Sequence, residues 1–100
     1  MRLTPEQRQA IRNAVARHFG SEATVRLFGS RVNDDLRGGD IDLLIEVGGS
    51  ASQAESVVKR LKAIADIQQQ IGERKIDVVL ADRSSDSPII RAARREGVLI

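Results

Sequence analysis

Ala23-Thr24-Val25-Arg26-Leu27-Phe28 runs into Gly29-Ser30, and nine residues after Ser30 comes Asp40-Ile41-Asp42-Leu43-Leu44-Ile45-Glu46-Val47. Both apolar runs have the composition of β-strands, and Gly29-Ser30 breaks the first of them. Strand alternation puts Ile41, Leu43, Ile45 and Val47 on one face of the second run and Asp40, Asp42, Leu44 and Glu46 on the other. Two carboxylates at i and i+2 stand roughly 7 Å apart at their α-carbons and repel each other unless a positive charge lies between them. Oxygen ligands without His or Cys suit a hard cation. Magnesium takes one or two protein carboxylates and fills its remaining positions with water and substrate phosphates, so the pair points to a metal delivered with a nucleotide. Asp-x-Asp by itself also fits a solvent-facing strand at a sheet edge; the upstream turn favours the metal.

At that turn, Gly29 allows close backbone approach, and Ser30 adds a hydroxyl where backbone N–H groups can hold phosphate oxygens. Arg31 carries a planar cation suited to phosphate, although plain surface charge explains it equally well. Gly38-Gly39 lets the chain turn tightly into Asp40, as a plain hairpin would also require.

Around this centre the remaining elements follow from caps and periodicity. Thr4-Pro5-Glu6-Gln7 opens a helix with a hydroxyl cap, a first-turn proline and a glutamine three residues on. Its apolar stripe is Ala10, Ile11, Ala14, Val15, His18 and Phe19, and Gly20 stops it. His18 reads as a partly buried structural residue without an evident partner. Ser52-Gln53-Ala54-Glu55 opens a second helix whose buried side is expected to hold Ala54, Val57, Val58, Leu61, Ile64, Ala65 and Ile71, with Gly72 at its end. Lys75 to Leu80 is a third strand, with Ile76, Val78 and Leu80 on one face and Asp77 and Val79 on the other. Ser87-Pro88 starts a last helix that Gly97 ends, and Val98 to Ile100 is a candidate edge strand.

The 100 residues suffice for one domain, 1–100, with a single core. Hydrophobic residues at 41% and charged residues at 30% exclude the composition of disorder. Two phenylalanines are the only aromatic residues, which argues against a base-stacking, single-strand-binding surface. Without cysteine there are no disulfides, thiolate metal sites or thiol nucleophile. The net charge of +2 is too small to indicate nucleic-acid binding. No apolar run approaches a membrane span and Met1 to Pro5 lacks a signal-peptide pattern, so a cytoplasmic protein is expected.

Gly29-Ser30, nine residues, then Asp40-Ile41-Asp42-Leu43 resembles the Gly-Ser and Asp-x-Asp signature of the DNA polymerase β-like nucleotidyltransferase superfamily, and most closely its minimal nucleotidyltransferase branch. The resemblance extends over Lys75-Ile76-Asp77-Val78-Val79 and the closing Ala92 to Leu99, with Glu96-Gly97. It implies an α/β (α+β) nucleotidyltransferase fold, a small mixed β-sheet packed with helices on one side. It implies that Gly29, Ser30 and Arg31 bind the nucleotide, that Asp40, Asp42 and Asp77 are catalytic and hold two Mg2+ ions, and that ATP is the substrate. In many relatives ten residues separate the serine from the first aspartate, and a small residue is common where this chain has Asp34. So short a chain leaves little surface for binding an acceptor. The branch supplies a candidate partner in a HEPN-family toxin, held in a hetero-oligomer and inactivated by adenylylation of a tyrosine. The competing expectations are a non-catalytic antitoxin that acts by occlusion and, less well supported, an enzyme that modifies a small molecule.

Overall fold

A computed structural model describes residues 3–29, 41–48, 53–82 and 84–100. Ser30, Arg31, Gly38, Gly39, Asp40 and the Ser52 cap lie outside the described residues. Within them the order is α1 (Pro5–Phe19), β1 (Thr24–Phe28), β2 (Ile41–Glu46), α2 (Gln53–Ile71), β3 (Ile76–Ala81), α3 (Pro88–Glu96) and β4 (Val98–Leu99). None of the described helices is long and apolar enough to cross a membrane.

The caps form as their residues dictate. The Thr4 hydroxyl accepts from the Gln7 amide at 3.0 Å while the Gln7 side chain accepts from the Thr4 amide at 2.9 Å, which satisfies two otherwise orphaned donors at the start of α1. Ser87 caps α3 through the Ile90 amide. Gly97 is needed at the exit of α3 for space: a β-carbon there would collide with the Ala93 carbonyl and lie 3.3 Å from the Leu27 carbonyl and the Arg26 β-carbon. Only a bare backbone lets the chain pass from α3 straight into β4 against β1.

The described strands form one sheet in the order β3-β2-β1-β4. β1 pairs antiparallel with β2 and with β4, whereas β2 and β3 run parallel, as strands joined by a crossover helix can. The central β2 is buried on both faces. Ile41, Leu43 and Ile45 are fully buried with Ile11, Ala14 and Val15 of α1, Ile67 of α2, and Val25, Leu27, Ile76 and Val78. On the opposite face Leu44, also fully buried, packs with Ala81, Ile90 and Ala93, flanked by Phe28 and Val79.

The mixed sheet and its helices agree with the expected fold class, with one difference in layering. The two long helices share one side of the sheet, and the short α3 covers part of the other. The physical reason is Leu44: an apolar residue on the aspartate face of β2 needs cover, which Ile90 and Ala93 supply.

A second difference concerns α2. Its core-facing residues are Ala63 and Ile67, with Ile64 and Ile71 packed beside them, whereas Val57, Val58 and Leu61 are 44%, 48% and 57% exposed and Ala54 and Ala65 are also exposed. The helix carries two apolar stripes about 140° apart at 100° per residue, and periodicity alone favours the more populated one. Packing uses the other.

His18 has a partner that no local sequence signal reveals. Its Nε2 lies 2.9 Å from Asp66 Oδ2 on α2, and Arg17 donates to the same oxygen, tying α1 to α2. Burial alone would raise the Asp66 pKa, but the hydrogen bonds from His18 and Arg17 outweigh it and hold the carboxyl below its ordinary value. A carboxylate with a depressed folded-state pKa contributes stability above its unfolded pKa, and that contribution is lost as the pH falls through the folded value. Asp66→Asn is therefore expected to melt below the parent chain at pH 6 and by a smaller margin at pH 3, as thermal unfolding followed by circular dichroism would show. An equal gap at both values would contradict this role.

Candidate active site

The first residue beyond β1 and the second residues of β2 and β3 meet at one end of the sheet. The register pairs Phe28 with Asp42 and Asp42 with Asp77, so these three residues form a row across three adjacent strands. Paired residues on neighbouring strands project to the same side, here the face that carries Leu44, Val79 and α3. Neighbouring strands lie about 4.8 Å apart, which brings the Asp42 and Asp77 backbones closer than two aspartates at i and i+2 on one strand. Asp42 is half-buried, and Asp77, on the edge strand β3, is exposed.

Gly29 completes the row from the β1 side. Its φ of +73° lies in the left-handed region that favours glycine, and a β-carbon there would stand 2.6 Å from Asp42 Oδ2. The Asp42 carboxylate thus rests over bare backbone. Gly29→Ala is expected to cost about 1–3 kcal/mol from its backbone conformation alone and to push the Asp42 carboxylate from its place. Thermal unfolding would read the first effect and nucleotide turnover the second; an alanine variant with unchanged turnover would refute the close approach.

Two carboxylates in register on adjacent strands, one of them seated over the bare backbone of Gly29, fit a hard divalent cation with a phosphate oxygen. Among the described residues no three His, Cys, Asp or Glu side chains gather as a metal-binding group. Of the three aspartates expected to hold metal, Asp42 and Asp77 stand in register, and Asp40 lies outside the described residues, as do Ser30 and Arg31 of the expected nucleotide-binding turn.

Phe28 and Arg94 also support the site, and no local sequence signal marks either of them. Phe28 is the register partner of Asp42 and packs against the α3 cluster, so it links the Gly29 turn to the core. Alternation in β1 assigns its face, but only strand register shows what stands opposite. Arg94 binds Glu46 at 3.1 Å and donates to the Ser85 and Asp82 carbonyls at 2.8 and 2.9 Å, fixing α3 to β2 and to the segment after β3. Arg94 is half-buried in this network.

The chain matches the nucleotidyltransferase domain family over residues 8–100. No protein of curated function matches it.

Proposed function

This chain belongs to the nucleotidyltransferase domain family, and we propose that it transfers AMP from ATP to a hydroxyl of a partner protein in a magnesium-dependent reaction. On this reading the partner is a HEPN-family toxin, the acceptor is a tyrosine, and the chain is the antitoxin of a cytoplasmic pair. The observation that carries the catalytic reading is the Asp42–Asp77 register beside Gly29.

Asp42 and Asp77, together with Asp40, would hold magnesium. Bound there, magnesium supplies positive charge to the triphosphate and to the departing pyrophosphate. The residues of the chain do the rest. Gly29 lets the Asp42 carboxylate sit close against the turn, and Ser30 and Arg31 follow it in sequence, where they would donate to the phosphates. The acceptor oxygen forms a bond to the α-phosphorus as the bond to the pyrophosphate oxygen breaks, and the hydroxyl proton passes to a carboxylate or to water. Asp77 suits that last role because it is exposed on an edge strand, where a protein acceptor can reach it.

The test is the intact mass of the candidate toxin after coexpression with this chain or with its Asp42→Asn variant. A wild-type-dependent gain of one or more nucleotide masses supports the proposal and names the base. A partner that copurifies without any added mass would replace transfer by occlusion.

A further inference from the structure

The outward face of α2 carries apolar residues that the other described elements leave exposed. Ala54, Val58, Leu61 and Ala65 follow one another at intervals of four, three and four residues, with Val57 beside them. All are exposed, Leu61 at 57%. Single apolar residues at a surface need no explanation, but a continuous line at this spacing is the seam by which one helix packs along another. The occupant implied by the spacing is a helix.

The line is also symmetric about its midpoint, between Lys59 and Arg60. Reversing its direction exchanges Ala54 with Ala65 and Val58 with Leu61, so small residues meet small ones at the ends and branched residues meet in the middle. Glu55 and Lys62 flank the same side of the line, one seven residues after the other. In an antiparallel pair, residues at such flanking positions of the two helices face each other, which places each Glu55 near the partner's Lys62. Spacing and charge are therefore both complementary to themselves.

We propose that α2 pairs antiparallel with α2 of a second copy of this chain across a two-fold axis, with Val58 against the partner's Leu61 and Glu55 beside the partner's Lys62. From Ala54 to Ala65 the seam is about 17 Å long at 1.5 Å per residue. That is short, so the dimer is weak, with a dissociation constant on the order of 100 µM. Because α2 covers the sheet face opposite to Asp42 and Asp77, pairing leaves the face of the candidate active site open. This inference stands apart from the proposed transfer reaction.

Sedimentation equilibrium from 5 to 500 µM, as a trial range set by that estimate, tests it. The weight-average mass should climb from 10.9 kDa towards twice that value. Leu61→Glu, at a site too exposed to affect folding, should weaken association at least about tenfold. Glu55→Lys alone should also weaken it, and adding Lys62→Glu should restore it, because the exchanged charges again face each other only across the two copies. The chain has no cysteine, so Ala54→Cys together with Ala65→Cys should form disulfide-linked dimers under mild oxidation while each single variant stays largely monomeric. A wild-type chain that keeps its monomer mass throughout overturns the proposal and leaves the stripe to a different helix. Efficient linking of the Ala54→Cys variant with itself would mean a parallel pair and would likewise overturn it.

Discussion

Replacing Asp42 with asparagine is expected to cut nucleotidyl transfer at least about a hundredfold, equivalent to about 2.7 kcal/mol of transition-state stabilisation, with little change in the fold. Asparagine keeps the size of the side chain and most of its hydrogen-bonding capacity, so its place over Gly29 can be retained. What disappears is the negative charge beside Asp77. A hard cation held by so few protein oxygens loses most of its protein-derived attraction when one of them becomes neutral. The figure is a lower bound, since removing residues that merely orient metal ligands already costs 10–100-fold. Two measurements separate this loss from unfolding: manganese binding, used as a spectroscopic substitute for magnesium, should weaken in step with activity, while the melting temperature stays within a few degrees. A variant that keeps more than about a tenth of the parent turnover would refute the proposed role of Asp42 in holding metal.

Leu44→Ala is expected to be the most damaging of the core substitutions. Leu44 is fully buried, and among the described residues it is the central contact between β2 and the α3 layer. Deleting its side chain removes buried apolar surface and leaves a cavity that α3 must collapse into, at about 2–5 kcal/mol. A domain of this size has about 5–15 kcal/mol in total, and each kcal/mol lowers the melting temperature by about 4–8 °C. The same cluster supports Phe28, next to Gly29, so the folded fraction should also turn over more slowly. Leu61→Ala is the matching control: the same atoms are removed from an exposed helix position, and the change should stay within about 0.5 kcal/mol at low protein concentration. Equal losses at both positions would show that the α3 layer contributes no packing of its own.

Much of the fold and part of the site were legible in the order of residues, and the exceptions have identifiable causes. Thr4-Pro5-Glu6-Gln7 and Ser87-Pro88 specify helix starts because a cap is made within one turn of chain. The alternation in Ile41 to Val47 and in Ile76 to Leu80 assigns each residue to a face because the pleat repeats every two residues. Alternation accordingly puts Asp42 and Asp77 on the face away from Ile41, Leu43, Ile76 and Val78, which is the face they take in the sheet.

Contacts between distant segments were not legible in this way. The choice between the two apolar stripes of α2 depended on which one met α1 and the sheet, and Ala63 and Ile67 won over Val58 and Leu61. The Asp66 that holds His18 is 48 residues away, and the three groups that accept from Arg94 come from two other segments, β2 and the turn after β3. Leu44 drew α3 to the second face of the sheet, although its own strand showed only an apolar residue among polar ones. The order of residues by itself determined where helices and strands begin, which way each strand residue points, and which chemical groups are available, because these depend on neighbours a few positions apart. Only the tertiary structure decided that Gly29, Asp42 and Asp77 stand side by side, because strand register is set by packing both faces of the sheet at once.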